Sequence, residues 1–597
     1  MILSVLDWLL IVVFLSIIVI LGLSYSQEAK TDLKAYFLGG RNMPWYMAGL
    51  SMVATTFAAD TPLAVAEIVA KNGIAGNWVW WSFLAGGMLT TFFFAGLWQR
   101  SGVITEAEFT ELRYSGAAAK WLRVFKSVYL GLFMNVIVIG WVNVALIKLL
   151  GVFFGLEYTE AFIYTAIILI ITAVYSTFSG FKGVVVTDAV QFCIAMTGCI
   201  VLAVLVVNSS QIQGLSGLKN YFQTPERAAY LHFLPSFSSN SLINTFSLSL
   251  TGFFAFVGVQ WWASWYPGAE PGGGGYVVQR ILSTRNAKEA VWATLLFQFL
   301  HYCLRPWAWI VVGLAGIVLY SGTNVPQGDY YVLAMKEFLP SGWRGLMLVA
   351  FFAAYMSTIS TQLNWGASCL VNDVQQRLAK TPKADSYYVW SAKICTVALA
   401  AVSLFATLAM DSVASAWVFL MQCGAGVGGV LILRWYWLRI NVWSEITAMI
   451  MPFVGTVICL LLSFNPSESL IFTAFFTTGA WVLVTLLTSP SDKATLTRFW
   501  AKVHTSQSIN SENHNLDDTI DTHLIPNTNG FIDKNQSPRA FYGYTFLAWG
   551  AATVLAYALL FLTGKIILLE WTEALICAGL AIFSFIWLKI AMSKTIA

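Results

Sequence analysis

The sequence predicts an all-α polytopic membrane protein, and three observations carry that prediction. Of its 597 residues 58% are apolar and only 10% are charged, where soluble domains carry roughly 25% charged residues. Its mean hydropathy is +0.71. Apolar stretches long enough to cross a bilayer, about 20 residues each, recur along nearly the whole chain.

Taken in order, about 15 candidate transmembrane helices lie near 4–24, 44–70, 77–98, 123–150, 159–178, 184–207, 241–265, 288–320, 343–375, 387–408, 414–437, 445–464, 467–487, 542–563 and 570–592. The first, Leu3–Leu23, is followed by no A-x-A-like cleavage site and is expected to stay as a span. Lys and Arg collect on the cytoplasmic side of membrane proteins. Placing the N-terminus outside puts 24 of the 33 basic residues in cytoplasmic loops. Six (Lys71, Lys219, Arg227, Lys336, Arg344, Lys565) then lie outside and three (Lys148, Arg305, Lys393) within spans. Arg100, Arg113, Lys120, Arg123 and Lys126 fill one cytoplasmic loop, and Arg280, Arg285 and Lys288 another. An odd number of spans then puts the C-terminus inside, beside Lys589 and Lys594.

The basic residues thus serve membrane topology, and the net charge of +4 points to no nucleic-acid partner. The eight cysteines lie in apolar segments without paired spacing and read as small core hydrophobes. One hydrophilic stretch, 488–541, is rich in Asn, Ser, Thr and Asp and reads as a polar cytoplasmic loop. It holds His504, His514 and His523 beside Asp517, Asp518 and Asp521, either a metal cluster or a solvated tail. No nucleophile–base pair stands at membrane depth, so an enzyme is not expected. The glycine-rich "EPGGGGYVVQR" (270–280) lacks the G-K-[ST] that would cradle a phosphate and reads as a flexible cytoplasmic connector.

Charges at membrane depth cost about 2.5–3.5 kcal/mol each on insertion scales, so Asp60, Glu67, Asp188 and Arg305 each invite a reason. Lys148 lies nearer a helix end, where it can snorkel. In "SMVATTFAADTPLAVAE" (51–67) Pro62 lacks an N–H and crowds the carbonyl of Ala58. A break is expected around 57–62, and in a bilayer such a break is tolerated only against a cavity or protein. Freed carbonyls near Ala54 and Phe57, with Asp60, would make a cation site; the alternative is a plain kink with Asp60 bonded to a neighbouring helix. In "AAYMSTISTQLNW" (353–365) positions 354, 357, 358 and 361 share one helical face and Ser360 flanks it. Such hydroxyls suit a hard monovalent cation, or bond back to carbonyls and glue helices together. Asp188 in "YSTFSGFKGVVVTDAVQ" (175–191) either favours a helix N-terminus or supplies the negative charge of an ion site.

Together these segments resemble the sodium:solute symporter family, over about residues 1–490. The resemblance rests on "FLGGRNMPW" (37–45), "GVITEAEFTELRY" (102–114), "YSTFSGFKGVVVTDAVQ", the "QR" of 279–280 and "MSTISTQLN" (356–364), in that order and spacing. It implies a LeuT-type fold of two inverted five-helix repeats, here 44–207 and 241–437. An extra N-terminal helix (1–30), two accessory helices (445–487), the polar loop (488–541) and two C-terminal helices (542–592) would surround this core. The resemblance further implies a sodium site common to the family on Ala54, Phe57, Ala354, Ser357 and Thr358. A second would lie on Asp188, Ser357, Ser360 and Thr361. Two sodium ions are therefore expected as coupling ions. Each charge moved inward gains about 2.3 kcal/mol per 100 mV.

The solute site departs from the sugar carriers of the family. Trp80 stands where they place a glutamate, Thr56 where they place an asparagine, and Tyr302 near their lysine, with Arg305 three residues on. Asp60 keeps the carboxylate, and Thr61 follows it. The stretch before the Q-R pair is longer than usual and carries Gln260, Trp261 and Trp265 near the break that the resemblance implies in the first helix of the second repeat. Aromatic faces and a few polar groups suit a sugar ring, or pack as an interfacial belt. Arg305 leaves open an acidic sugar such as a uronate, or a pairing with a protein carboxylate. The expected function is sodium-coupled import of a small polar organic solute, a sugar or sugar acid, across a bacterial inner membrane. Symport of an amino acid or monocarboxylate is one alternative, and a transporter-shaped membrane sensor another. A monomer and a dimer both fit this sequence.

Overall fold

The computed structural model describes residues 3–25, 33–235, 250–381, 383–410, 413–504 and 538–595. Every named element among them is helical. Helix α1 (Val5–Ser24) packs against the core, and its Asp7 carboxylate accepts the N–H groups of Gly342 and Gly345 at 2.8 and 2.7 Å. Those are orphan donors at the start of a later helix, α11 (Trp343–Gln376), so a first-turn acid of one helix caps another.

Helices α2 (Trp45–Thr55) and α3 (Asp60–Asn72) form one span bent by 58°. The break lies at 56–59, earlier than the expected 57–62. Pro62 falls in the first turn of α3, where a missing N–H costs nothing, so the chain breaks just ahead of that turn. Next come α4 (Ile74–Ser101), α5 (Gly116–Phe154), α6 (Tyr158–Phe178) and α7 (Gly180–Val207). Gly180 divides α6 from α7 at φ 60°, a left-handed conformation that favours glycine.

A second interrupted helix follows. Helix α8 (250–263) ends at a non-helical stretch, 264–274, and α9 (Gly275–Ser283) resumes. The glycine-rich segment is therefore no flexible connector: residues 270–280 are all buried. Gly273, at φ 83°, lies so close to Trp98 that a Cβ there would sit 2.9 Å from the indole nitrogen. Glycine is what lets backbone pass that point.

Helices α10 (Ala287–Tyr320), α11 (Trp343–Gln376), α12 (Asp385–Leu408), α13 (413–433), α14 (Val442–Leu461) and α15 (Pro466–Leu487) complete the apolar body. A short helix α16 (Lys493–His504) follows, then α17 (Pro538–Ile567) and α18 (Trp571–Thr595). Eleven described helices are long and apolar enough to cross a membrane, or twelve with the bent pair. The other three of the fifteen expected spans are α1, α8 and α13. The apolar run of α1 counts only as Val5–Ile18, part of 241–265 lies outside the described residues, and α13 is interrupted at 425–426.

Several expected loop charges are buried instead. Glu445 on α14 binds Lys126 at 2.9 Å, Arg434 at 3.1 Å and the Tyr114 hydroxyl at 2.6 Å. Arg123 pairs with Asp373 at 2.6 Å. Buried charges are costly unless paired, and through these pairs "GVITEAEFTELRY" and its neighbours clamp the ends of α5, α11, α13 and α14. Lys148 pairs with Asp329 at 3.1 Å, at the helix end where snorkelling was expected. His504 is buried against Trp500 and lies 3.2 Å from the Trp435 carbonyl. The other members of its suggested metal cluster lie outside the described residues.

Candidate functional site

The end of α2 meets the middle of α11 through hydroxyls. Thr358 Oγ1 donates to the Thr55 carbonyl at 2.8 Å and to Ala354 O at 3.2 Å. Thr55 Oγ1 and Thr361 Oγ1 are 3.1 Å apart. The helix break is what bares carbonyls here: Thr56 O accepts only a side-chain donor, Thr61 Oγ1 at 3.4 Å. Ala54 O accepts from Phe57 N at 3.0 Å in the last turn. Ala54, Phe57, Ala354, Ser357 and Thr358 are all buried at this junction.

One turn along α11 lies a denser cluster. Asp188 is fully buried and stands eight residues past Gly180, too deep to act as a helix-start charge. Its carboxylate accepts Ser51 Oγ at 2.5 Å and Ser357 Oγ at 2.6 Å. Arg280 of the Q-R pair approaches the same carboxylate at 3.5 Å, donates to Thr361 Oγ1 at 2.5 Å and to Ser51 Oγ at 3.0 Å. Ser360 Oγ turns back to Ser357 O at 3.1 Å. Arg280 was expected in a solvated loop; it is 1% exposed because the half-helix α9 dips into the core. Ser51 and Arg280 belong to this cluster and were missed as site residues, although the Q-R motif pointed at one of them.

Beside the first junction a cavity of about 90 Å³ opens. Thr56, Asp60, Thr61, Trp80, Tyr302 and Arg305 line it, as do Thr55 and Thr358 from the hydroxyl row. Trp80 and Tyr302 stack at 5.7 Å, and Trp141 and Tyr266 at 6.4 Å. Arg305 donates to Val53 O at 3.1 Å, Thr56 Oγ1 at 3.0 Å and His301 Nδ1 at 2.7 Å. A guanidinium can only donate, so a neutral His301 ring accepts, with Nδ1 at 2.7 Å and Nε2 at 3.3 Å from the guanidinium. Residues 300–304 form a widened π-helical turn that ends at Pro306. The proline ring crowds the carbonyl four residues back, and the widened turn relieves it. That turn brings His301 and Arg305 to one wall.

Gln260, Trp261 and Trp265 do not line this cavity. The break begins only at 264, so Gln260 stays on helical α8 and donates to Val79 O at 2.6 Å. Trp261 packs against Trp549, and Trp265 lines a separate cavity of about 20 Å³. Tyr266, Tyr276, His301, Gln362 and Trp417 line the main cavity and were missed. A histidine four residues before a membrane-depth arginine was the available signal for one of them.

Two interrupted helices facing a buried cavity define the LeuT class of secondary transporter fold. The chain belongs to the sodium:solute symporter family, whose model matches residues 36–452. It is similar to a sodium/glucose cotransporter of Vibrio parahaemolyticus, 23% identical over 517 residues that cover 82% of this chain and 92% of that protein. It is similar also to a sodium/sialic acid symporter of Proteus mirabilis, 23% identical over 465 residues, 74% of this chain and 87% of that one. Among solved structures, a substrate-bound, outward-open sodium-coupled sialic acid symporter matches with a TM-score of 0.67 at 20% identity. It covers 82% of this chain and 99% of its own. Helices α15 to α18 lie beyond the family match.

Proposed function

We propose that this multi-pass transporter, set in a bacterial inner membrane, couples two sodium ions to the import of a small polar solute, a sugar or sugar acid. The first ion would sit on Ala54, Phe57, Ala354, Ser357 and Thr358, the second on Asp188, Ser357, Ser360 and Thr361. The repeats would run over 44–207 and 241–437. One observation carries the reading: Thr55 and Thr358 bond each other and both line the solute cavity. An ion that draws α2 to α11 at that point shapes one wall of the solute site. Ion binding then raises solute affinity, and by linkage the solute raises ion affinity. Aromatic faces at Trp80, Tyr302, Trp141 and Tyr266 beside Asp60 and Thr61 suit a hydroxylated ring.

Uptake into proteoliposomes under an inward sodium gradient tests this, with a potassium gradient as control. Thermal stability with sugars, sugar acids and amino acids, each in sodium and in potassium, selects the solute to be used. A solute that stabilises equally in both salts removes sodium from the mechanism. A sodium Hill coefficient of one, with one ion per solute, removes the second site.

A further inference from the structure

Arg305 poses a problem that the cavity alone does not solve. It lines the solute cavity, is 1% exposed, and its partners are all neutral: the Val53 carbonyl, the Thr56 hydroxyl and His301. Its guanidinium also lies 5.3 Å from the Trp309 ring centre and 6.0 Å from that of Phe57. Among the described residues it makes no ion pair. Asp60 lines the same cavity, yet its bond is to Thr61 Oγ1 at 3.3 Å. Its carboxylate acts on Arg305 through space, and no hydrogen bond or ion pair joins the two. A buried positive charge without an ion pair is costly: Arg280 has Asp188 and Arg434 has Glu445, while Arg113, equally buried, bonds the Arg434 and Trp437 carbonyls and does not line the solute cavity.

Sodium sharpens the imbalance. The first ion's ligands are carbonyls and hydroxyls only, so its binding adds a positive charge next to the cavity without adding a negative one. We propose that the solute brings the carboxylate that bonds Arg305 directly: a hydroxylated ring bearing one carboxylate, a hexuronate in class. This rests on the sodium-symport reading above and narrows its solute. His301 acts as a positioning residue, because its ring accepts from the guanidinium and holds the fork in place. Asp60 lines the same cavity as an acceptor, which calls for hydroxyl donors and repels a second carboxylate. The stacked pair Trp80–Tyr302 presents an apolar face to the ring. A neutral hexose would satisfy Asp60 and the aromatics and leave Arg305 without a direct ion pair.

The full chain in detergent or nanodiscs is assayed by thermal unfolding in sodium and in potassium. The probes are D-glucuronate and D-galacturonate, their neutral amides, D-glucose, D-galactose and L-proline. The expected result is a sodium-dependent shift with an acid and none with its amide. In Arg305→Gln the acid should bind about 30-fold more weakly or worse, the loss expected when one side of a buried charged pair is removed. Arg305→Lys should recover part of that loss, as a point charge without the fork. Amides or hexoses that shift stability as well as the acids overturn the anion inference and leave the symport reading standing. No shift with either acid overturns it too, whichever other probe binds. If sodium-driven uptake is also absent for every probe, the reading it rests on falls with it. Should Arg305→Gln fail to fold, the acid-against-amide comparison in the unaltered chain decides alone.

Discussion

Replacing Arg280 by glutamine asks whether the Asp188 cluster is a cation site. In the structure the guanidinium stands 3.5 Å from Asp188 and bonds Thr361 and Ser51, with both charges almost wholly buried. Breaking a buried pair from one side costs about 3–5 kcal/mol. Two short hydroxyl bonds to Asp188 survive the change, which puts the expected loss near the lower end, about 3 kcal/mol. If the same oxygens hold sodium, the ion takes over the role of the lost cation. At 100 times its Kd it returns about 2.7 kcal/mol. In the unaltered protein Arg280 competes for these oxygens and sodium returns less, so Arg280→Gln should unfold much earlier than the unaltered protein in potassium and recover most of the difference in saturating sodium. Thermal unfolding across a sodium titration, with potassium holding ionic strength, reads this directly. An equal loss in both salts refutes the reasoning: Arg280 would then be a structural pair and no stand-in for an ion.

Other expectations follow from the same geometry. Asp60→Asn should abolish or strongly impair sodium-driven uptake while the protein still purifies as a folded, monodisperse species; normal transport would misplace the solute cavity. Thr358→Val removes the donor to Thr55 O, worth about 0.5–1.5 kcal/mol, and should raise the half-saturating sodium concentration up to about tenfold; an unchanged value excludes Thr358 as an ion ligand. Burial holds the His504 imidazole at about 3, below its ordinary 6.5, although the Trp435 carbonyl works the other way. The unfolded chain binds that proton first, so His504 should cost stability as pH falls from 6.5 towards 3. His504→Asn should flatten that part of an unfolding-against-pH profile, and an unaltered profile would refute it. Tyr557 on α17 donates to Trp81 O at 2.8 Å. Tyr557→Phe should cost about 1–3 kcal/mol in thermal unfolding by leaving that carbonyl unpaired, and no change would show that α17 does not brace α4.

Residue chemistry made much of the site legible. Asp60, Asp188 and Arg305 stood out because charge at membrane depth needs a partner, and the hydroxyl row stood out because its spacing matches a helical face. Pro62 announced the first break, though not its register, since a proline sits comfortably in a new first turn. The second break was misjudged at its glycines. Composition alone cannot tell a glycine that gives freedom from one that gives clearance, and only the approach of Trp98 shows that Gly273 is the second kind. Gln260, Trp261 and Trp265 were placed near the cavity on the same misjudgement, because the helix runs on to 263 before it breaks.

Arg280 and Arg305 mark the boundary between the two kinds of knowledge. The sequence by itself determined that this is a many-helix membrane protein with one proline-broken helix, acids at depth and a cation-suited face on α11. Hydropathy, helical period and proline chemistry are local properties and need no neighbours to be read. Only the tertiary structure decided that one arginine meets Asp188 inside a proposed ion site while the other faces the solute cavity with neutral partners. The charge an arginine needs lies across the fold, on a residue tens or hundreds of positions away, and packing alone settles whether the protein supplies it or leaves it to the solute.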